Sequence, residues 1–406
     1  MRNQILLLGL ATALAGCQSS PSITPSTASA VEVPLFYAGA DLSYVNEMED
    51  CGARFQVNGE TRDPVQIFAD AGTNLVRVRL WHNPQWTDYS NFEDAARMLA
   101  RARQAGLPVL LDFHYSDTWA DPEKQIVPAA WEPMVDDTAA LGDALYRYTF
   151  DSLAELQRRG LLPDMVQVGN ETNNEILQTA ESMQHETIDW PRNAALLDRG
   201  LQAVADFNRQ HNTRVQRMLH IAQPENALNW FVDAEKYLQQ DYELIGISYY
   251  GKWSEYSVSS VGDAIAELRE NYGKDVIIVE TSYPWTLKNY DQADNVLGGD
   301  SLVPGYPATP KGQLRYLDDL ANTVKNAGGI GVVYWEPAWV STQCKTLWGT
   351  GSHWENAGMF DPAQNNEPLP SLAFFSRHAA TPNTDTKADN KTAMTENAIK
   401  NTEDNQ

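Results

Sequence analysis

Two glutamates end apolar segments whose composition is typical of buried β-strands. Glu171 ends the segment MVQVGNE, and Glu280 ends the segment VIIVE. A charged side chain at such a position has to be paired or functional, because burying an unpaired charge is costly. Two carboxyl groups about 5 Å apart can cleave a glycosidic bond with retention of configuration, one protonating the leaving oxygen and the other attacking the anomeric carbon. We therefore predict that Glu171 is the acid/base and Glu280 the nucleophile.

Polar residues near the two glutamates fit the same chemistry. Asn170 can hydrogen-bond the 2-hydroxyl of a sugar, a contact that strengthens in the transition state. Arg79 can keep the nucleophile ionised by opposing its charge, although Arg77 has the same strand parity and is an alternative for this role. Tyr249 can donate a hydrogen bond to the nucleophile.

The two carboxyl groups need different pKa values for their different roles. Apolar surroundings and a negative neighbour should raise the pKa of the acid, whereas Arg and Tyr should hold down the pKa of the nucleophile. His114 can contact the sugar or help to set the pKa of the acid, and a purely structural role is its alternative.

The elements that must position these groups form a repeating pattern. Short apolar segments, several of them continuous as in parallel strands covered on both faces, alternate with amphipathic helical ones. The predicted strands are 36–41, 75–81, 108–114, 165–170, 218–222, 244–250, 276–280 and 330–335, and the clearest predicted helices are 92–106, 138–160, 193–210, 261–273 and 311–328.

Eight strands alternating with helices predict a single (β/α)8 barrel, with a doubly wound open sheet as the alternative. No glycine-rich phosphate loop follows any of these strands, which disfavours nucleotide binding. Active sites of such barrels lie at the carboxyl ends of the strands. The polar residues collect there: Asp41, Arg79, His114, Asn170, Glu171, Tyr249, Glu280 and Trp335.

The two ends of the chain differ in composition from its middle. Residues 1–16 resemble a signal peptide, and the sequence Leu-Ala-Gly before Cys17 resembles a bacterial lipobox in which that cysteine is lipidated. An ordinary signal peptide is the alternative. Gln18 after the cysteine favours outer-membrane sorting, so we expect an exported, lipid-anchored protein on the periplasmic or outer face. Residues 17–34 are predicted to be a flexible tether, 35–378 the catalytic domain and 379–406 a disordered polar tail.

Composition limits the partners of the chain. A formal net charge of -24 argues against nucleic acid and is compatible with a neutral substrate. Twelve Trp and 17 Tyr are numerous for this length and indicate either a large aromatic core or platforms for sugar rings. We expect membrane contact through the lipid anchor alone, and a monomer.

Longer motifs resemble one family. The segments DFHYSDTWADPEKQ (112–125), VGNETNN (168–174), IGISYYGKW (245–253), VETSYPWT (279–286) and YWEPAW (334–339) are similar to glycoside hydrolase family 53, the endo-β-1,4-galactanases. The resemblance extends from about Gly39 to about Phe375. It implies a barrel that cleaves β-1,4-galactan of type I arabinogalactan internally and with retention, without a catalytic cofactor.

The resemblance also assigns residues. It implies that Glu171 is the acid/base and Glu280 the nucleophile. The other residues that it places around the bound sugar are Asp41, Arg79, His114, Asn170, Tyr249 and Trp335, with Trp119 and Trp253 as further sugar contacts.

Some bacterial members carry calcium in the loop after the seventh strand. Here Asp291, Asp294 and Asn295 could supply oxygen ligands, but their spacing is imperfect, and a polar loop without an ion is the favoured interpretation.

The barrel also predicts a disulfide. Cys51 follows the first strand and Cys344 the last, and these strands become neighbours when the barrel closes, so we expect the two cysteines to be bonded in an exported protein. Two other functions remain open at this stage. One is a related barrel that acts on another β-1,4-glycan, and the other is a surface glycan-binding lipoprotein without activity. A binding protein would have no use for an activated carboxyl pair.

Overall fold

The structure is a computed structural model that describes residues 36–180, 182, 187–347 and 349–379. The predicted signal peptide, the lipidation site at Cys17, the tether and the polar tail beyond Ala379 lie outside the described residues. Among the residues that are described, no helix is both long and apolar enough to cross a bilayer.

Eight parallel strands close into a barrel, as predicted. In chain order they are β1 (Tyr37–Asp41), β4 (Leu75–Leu80), β5 (Val109–Phe113), β6 (Met165–Val168), β7 (Gln216–Ala222), β8 (Leu244–Ser248), β9 (Asp275–Glu280) and β10 (Gly331–Tyr334). Each pairs with the next, and β1 pairs with both β4 and β10, which closes the barrel and excludes the open sheet. Two small antiparallel hairpins accompany it: β2 (Phe55–Val57) with β3 (Glu60–Arg62), and β11 (Phe360–Asp361) with β12 (Glu367–Pro368).

Nine α-helices are seen in the described part of the chain. They are α1 (Val45–Asp50), α2 (Pro64–Asp70), α3 (Phe92–Gln104), α4 (Thr138–Arg158), α5 (Trp190–His211), α6 (Pro224–Ala234), α7 (Val261–Tyr272), α8 (Pro310–Asn326) and α9 (Ala373–His378). The five predicted helices are present, and their ends follow local signals. The side chain of Asn91 caps the first turn of α3, Asp137 caps that of α4, and Gly273 ends α7 at φ 64°.

The barrel interior is layered from apolar to polar. Its lower layer is made of side chains from the starts of the strands, including Leu75, Leu110, Met165 and Leu244. Because side chains alternate along a strand, the residues two positions further on face the same interior. Two positions beyond Leu75, Leu110 and Met165 stand Arg77, Asp112 and Gln167, which form the polar floor of the site. Asp41, His220 and Ser248 join them through side-chain hydrogen bonds.

A bulge between β8 and β9 directs one catalytic candidate. Ile247 pairs with Ile278, but Ser248 pairs with Glu280, so the register shifts by one residue. Val279 packs in the apolar interior layer. A regular strand would turn the next side chain to the opposite face, and the bulge instead allows Glu280 to face the interior as well.

The described part of the chain begins and ends at the same place. The ammonium group of Lys325, near the end of α8, lies 4.5 Å from the centre of the Phe36 ring. The same group donates to the carbonyl oxygen of His378 at 3.1 Å. Phe36 precedes β1, and α8 ends before β10 begins. This meeting point therefore lies at the end of the barrel opposite the carboxyl ends of the strands.

Candidate active site

The two predicted glutamates meet at the mouth of the barrel. Glu171 follows β6 with a left-handed backbone (φ 44°), and Glu280 ends β9. Their carboxylate oxygens lie within 4.8 Å of each other. This separation is close to the roughly 5 Å of retaining enzymes and leaves too little room for the water that an inverting enzyme places between its carboxyl groups. Gly169 makes the turn before Glu171 possible, since its φ is 84° and a Cβ there would lie 2.5 Å from Thr172.

Arg77, rather than Arg79, contacts the nucleophile candidate. Its Nη1 lies 2.8 Å from Glu280 Oε1 and also 2.8 Å from Asp41 Oδ2, and its Nη2 lies 2.8 Å from Asp112 Oδ2. One buried guanidinium thus forms ion pairs with three carboxylates. The structure therefore decides between the two arginines that sequence parity left open.

Arg79, two residues further along β4, makes a different set of contacts. Its Nη1 lies 3.2 Å from Glu336 Oε1, and its guanidinium lies 4.2 Å from the centre of the Trp119 ring. Arg79 therefore orients an aromatic wall of the cleft, and of the two arginines it is Arg77 that is placed to support the nucleophile. Glu336 is fully buried, and sequence reasoning did not single it out.

The tyrosine prediction is wrong by one residue. Tyr249 is fully buried, and its hydroxyl donates to the carbonyl oxygen of Tyr256 at 3.0 Å. The hydroxyl of Tyr250 instead donates to Glu280 Oε2 at 3.2 Å, and Tyr250 lines the cleft. The reason is that β8 ends at Ser248, so strand parity no longer governs which side chain faces the cleft.

Burial and neighbouring charges set the two glutamates apart. Burial raises the pKa of Glu280 to about 7, opposed by Arg77 and by the hydrogen bond from Tyr250. Burial raises the pKa of Glu171 well above its usual range, and repulsion from Glu280 raises it further. The predicted order is present, because Glu171 holds its proton more tightly. The pKa of the nucleophile is not held below normal as expected, because burial raises it and repulsion from Asp41 and Asp112 adds to that rise.

Three polar residues that sequence reasoning missed support Glu171. Ser248 Oγ lies 2.5 Å from Glu171 Oε1, His220 Nε2 lies 2.9 Å from Ser248 Oγ, and Gln167 Nε2 lies 2.9 Å from His220 Nδ1. All three interrupt apolar strands, which is the signal that could have found them. Both ring nitrogens of His220 are engaged, so its proximity to Glu171 and Glu280 does not leave it free to bind a metal.

Asn170 and His114 line the cleft, whereas Asp41 lies beneath it. Asn170 Oδ1 accepts from Arg77 at 2.8 Å and its Nδ2 donates to Ala120 O at 2.8 Å, which leaves one amide hydrogen for a substrate hydroxyl. His114 lies 3.0 Å from Asp112 through Nε2 and accepts from the Ala120 amide through Nδ1. His114 therefore presents its ring, and not a free nitrogen, to a ligand. Asp41 is fully buried, and its carboxylate bonds to Arg77 and Ser43.

Aromatic side chains form the walls of the cleft. The predicted Trp119, Trp253 and Trp335 all line it, together with Trp339 and Trp354, which were not predicted. Trp335 packs edge-on against Trp354 with ring centres 4.7 Å apart. Trp253 is 48% exposed, so part of its ring is open to a sugar, while Lys252 Nζ lies 5.5 Å from the ring centre.

The predicted disulfide and the possible calcium ligands both lie in the loops at the carboxyl ends of the strands. Cys51 and Cys344 form a disulfide with 5.6 Å between their Cα atoms, as predicted. In the loop after β9, both carboxylate oxygens of Asp291 accept from backbone amides, of Ala293 and Ser352. Asp294 contributes its carbonyl oxygen to a bond with His353.

Asn295 lies beside a buried glutamate in the same loop region. Its amide donates to Glu355 Oε1 at 2.9 Å. Asn295 Oδ1 and Glu355 Oε2 are buried and have no hydrogen-bond partner among the described residues. Both are oxygen atoms on residues that contact each other, and oxygen is the donor type that calcium takes. Among the described residues, Asp291 and Asp294 belong to no cluster of three or more acidic or metal-binding groups.

An eight-stranded barrel with two buried glutamates less than 5 Å apart at its mouth has the architecture of a retaining glycoside hydrolase. Comparison with known proteins identifies the family of glycoside hydrolases. The sequence pattern described as "Glycosyl hydrolase family 53" matches residues 37–375. The chain belongs to glycosyl hydrolase family 53.

Individual relatives agree with this membership. The chain is 58% identical over 340 residues to the arabinogalactan endo-beta-1,4-galactanase of Cellvibrio japonicus, covering 84% of this chain and 90% of that protein. It is 35% identical over 380 residues to the endo-beta-1,4-galactanase of Bacillus subtilis, covering 84% and 85%. The solved structure of the Ignisphaera aggregans GH53 catalytic domain matches with a TM-score of 0.76 at 29% identity, covering 85% of this chain and 98% of that one.

Proposed function

We propose that this protein is an endo-acting β-1,4-galactanase that cleaves galactan and type I arabinogalactan with retention of configuration. The observation that carries the proposal is the glutamate pair within 4.8 Å inside a family 53 barrel. The similarity to the Cellvibrio galactanase over most of both chains supports the choice of substrate. The aromatic walls of the cleft fit a chain of neutral sugar rings.

In the first step Glu280 attacks the anomeric carbon while Glu171 gives its proton to the departing glycosidic oxygen. The products are a covalent glycosyl ester on Glu280 and a shortened chain with a free hydroxyl. Arg77 and Tyr250 hold the attacking carboxylate ionised and in place. The high pKa of Glu171 keeps its proton available at a pH where Glu280 has already lost its own.

In the second step water cleaves the ester. Esterification removes the negative charge of Glu280, and with it the repulsion that raises the pKa of Glu171. Glu171 can then act as a base and take a proton from the attacking water. The oxygen of that water becomes the anomeric hydroxyl, and Glu280 leaves as a carboxylate that Arg77 and Tyr250 are positioned to receive.

The test is hydrolysis of purified potato galactan, with mannan and cellulose in parallel. We expect galacto-oligosaccharides from galactan alone, a fast drop in viscosity from internal cleavage, and the β-anomer as the first product seen by proton NMR. Glu280→Ala should release nothing. Release from mannan or cellulose instead of galactan would refute the substrate, and an α-anomer would refute the assignment of the glutamate pair.

We also propose that the protein is an exported monomer attached to the outer membrane by a lipid on Cys17. The lipobox-like sequence before that cysteine supports this. Incorporation of labelled palmitate into the full-length chain, and its loss in Cys17→Ala, would support the anchor, while an unlabelled chain would exclude it. Light scattering of the mature protein tests the monomer.

A structural calcium ion beside Asn295 and Glu355 is a separate proposal, supported by their two orphaned oxygens. The ion would join the loop after β9 to the segment after β10 and take no part in the chemistry. Chelation should then lower the melting temperature, and added calcium should restore it. An unchanged melting curve would favour the polar loop without an ion.

A further inference from the structure

The hydrogen bonds beneath Glu171 can be assigned by starting from a group that can only donate. Arg77 Nε lies 3.2 Å from Gln167 Oε1, and a guanidinium has no acceptor. The carbonyl oxygen of the Gln167 amide must therefore face Arg77. Its NH₂ group consequently has two hydrogens to give: one reaches Asp112 Oδ1 at 2.6 Å, and the other is placed for His220 Nδ1 at 2.9 Å, which is nearer than Gly169 O and Asn170 Oδ1 at 3.1 Å.

A second donor reaches the same nitrogen of His220. The backbone amide of Glu171 lies 3.3 Å from His220 Nδ1. Asn170 Oδ1 also lies 3.1 Å from this nitrogen, but it already accepts from Arg77. The backbone N–H of Glu171 can only donate and has no other acceptor among the described residues, so we assign Nδ1 as the unprotonated acceptor and place the hydrogen of the neutral ring on Nε2. Burial, with the charge of Arg77 nearby, holds the pKa of His220 well below its usual range, in agreement with a neutral ring.

The hydrogen on His220 Nε2 determines the direction of the next bond. Nε2 lies 2.9 Å from Ser248 Oγ and must donate to it. The single hydrogen of the Ser248 hydroxyl is then free to point to Glu171 Oε1, 2.5 Å away. Oε1 is therefore an acceptor whether or not Glu171 is protonated, and the proton of the acid has to be on Oε2. No hydrogen bond from the described residues engages Oε2, and Glu171 lines the cleft.

We propose that Gln167, His220 and Ser248 form a proton-orienting chain that keeps the proton of Glu171 on Oε2, the oxygen that faces the leaving group. This inference rests on the proposed glycosidase function and adds positioning residues to it. The chain also serves the second step, because the same Ser248 hydroxyl then stabilises the ionised carboxylate. Arg77 anchors the chain and contacts Glu280, so one guanidinium orders both catalytic groups.

The test has to distinguish the effect of the Ser248 hydroxyl on the pKa of Glu171 from the effects of nearby charged groups. Replacing Ser248 changes the charge of none of these groups. A shift in the basic limb of the pH profile, which reports the pKa of Glu171, can therefore be attributed to the lost hydroxyl. Facing Glu171 are Glu280 on β9, Arg77 on β4, Asp121 after β5, His220 on β7 and Tyr250 after β8.

The experiment compares the pH dependence of kcat/KM on galactan for wild type and Ser248→Ala. A hydrogen bond to a carboxylate is about twice as strong as one to a neutral acid, so losing it should raise the pKa of Glu171 and move the basic limb upward by roughly one pH unit. The acidic limb, which reports Glu280, should not move. Activity should also fall more on galactan than on an aryl galactobioside whose good leaving group needs no proton, because the proton is no longer confined to Oε2.

Ser371→Ala is the matched control. Ser371 is a fully buried serine outside the cleft, and its hydroxyl has no hydrogen-bond partner among the described residues. It should keep both limbs at their wild-type positions. Ser248→Cys retains a weaker donor and should move the basic limb in the same direction by a smaller amount, which keeps the test available if the alanine variant does not fold.

A folded Ser248→Ala protein whose basic limb stays in place or moves downward would overturn the proton-orienting chain. Equal movement of both limbs would also overturn it, since that would indicate a general disturbance of the site. Failure of the proposed function is distinguishable, because wild type would then release no sugar from galactan, whatever the variants do.

Discussion

Tyr250 offers a test of how the nucleophile is held, because its neighbour Tyr249 is a control of identical type. Tyr250→Phe removes only the hydroxyl that donates to Glu280 Oε2 at 3.2 Å. Hydrogen bonds to charged groups contribute about 1.5–3 kcal/mol. This bond is long, and Arg77 already neutralises much of the charge on Glu280, so the lower end of about 1.5 kcal/mol applies.

That free energy corresponds to about one pKa unit. The bond favours the ionised form of Glu280, so its loss raises the pKa of Glu280 above the value of about 7. Glu280 must be ionised to attack, and the acidic limb of kcat/KM should therefore move upward by about one pH unit. The second step should slow roughly tenfold, because Glu280 regains its charge there without a donor.

The assay is a pH profile on galactan combined with rapid-mixing kinetics on an aryl galactobioside. Tyr250→Phe should show a burst of aryl release, since the ester accumulates when its hydrolysis slows. Tyr249→Phe loses a bond to Tyr256 and about 1 kcal/mol of unfolding free energy, but should keep both limbs. An unmoved acidic limb in Tyr250→Phe, or a shifted one in Tyr249→Phe, would refute the assignment.

Three further predictions concern the charge cluster, the loops and the cleft rim. Arg77→Met leaves Asp41 and Asp112 buried and unpaired, so we expect a loss of about 3–5 kcal/mol in unfolding free energy by denaturant titration; a loss under 1 kcal/mol would contradict the shared ion pair. Replacing Cys51 and Cys344 together by serine should cost about 2–5 kcal/mol and lower the melting temperature without changing KM on short oligosaccharides, whereas an unchanged melting temperature would speak against the bridge. Trp253→Ala should raise KM for galactan several-fold with an unchanged melting temperature, because 48% of the Trp253 surface is exposed; an unchanged KM would remove this residue from the binding surface.

The barrel could be predicted because its signal is local and repeated. Each strand is a short apolar segment bounded by turns, and all eight predicted strands are present with ends shifted by one or two residues. Helices α1, α2, α6 and α9 are short, with six to eleven residues each, and were not predicted individually. The two glutamates were found for a similar reason, since a charge at the end of an apolar strand is conspicuous in the sequence.

Contacts between strands could not be predicted in the same way. Arg77 and Arg79 have equal parity, and only the depth of each side chain in the closed barrel decides which one meets Glu280. The choice between Tyr249 and Tyr250 depends on where β8 ends, and a one-residue error exchanges the two faces. Gln167 and His220 carried a usable signal as polar residues in apolar strands, but their hydrogen-bond partners lie on other strands and are visible only in three dimensions.

The position of Phe36 bears on how the enzyme would meet a polymer. The chain enters the barrel beside Lys325, where the described residues also end, and the catalytic cleft opens at the opposite end. If the proposed lipid on Cys17 is present, its attachment reaches the barrel at the end opposite the cleft, so the anchor would not occupy the mouth of the site. A long galactan chain could then pass across the exposed mouth without meeting the point of attachment.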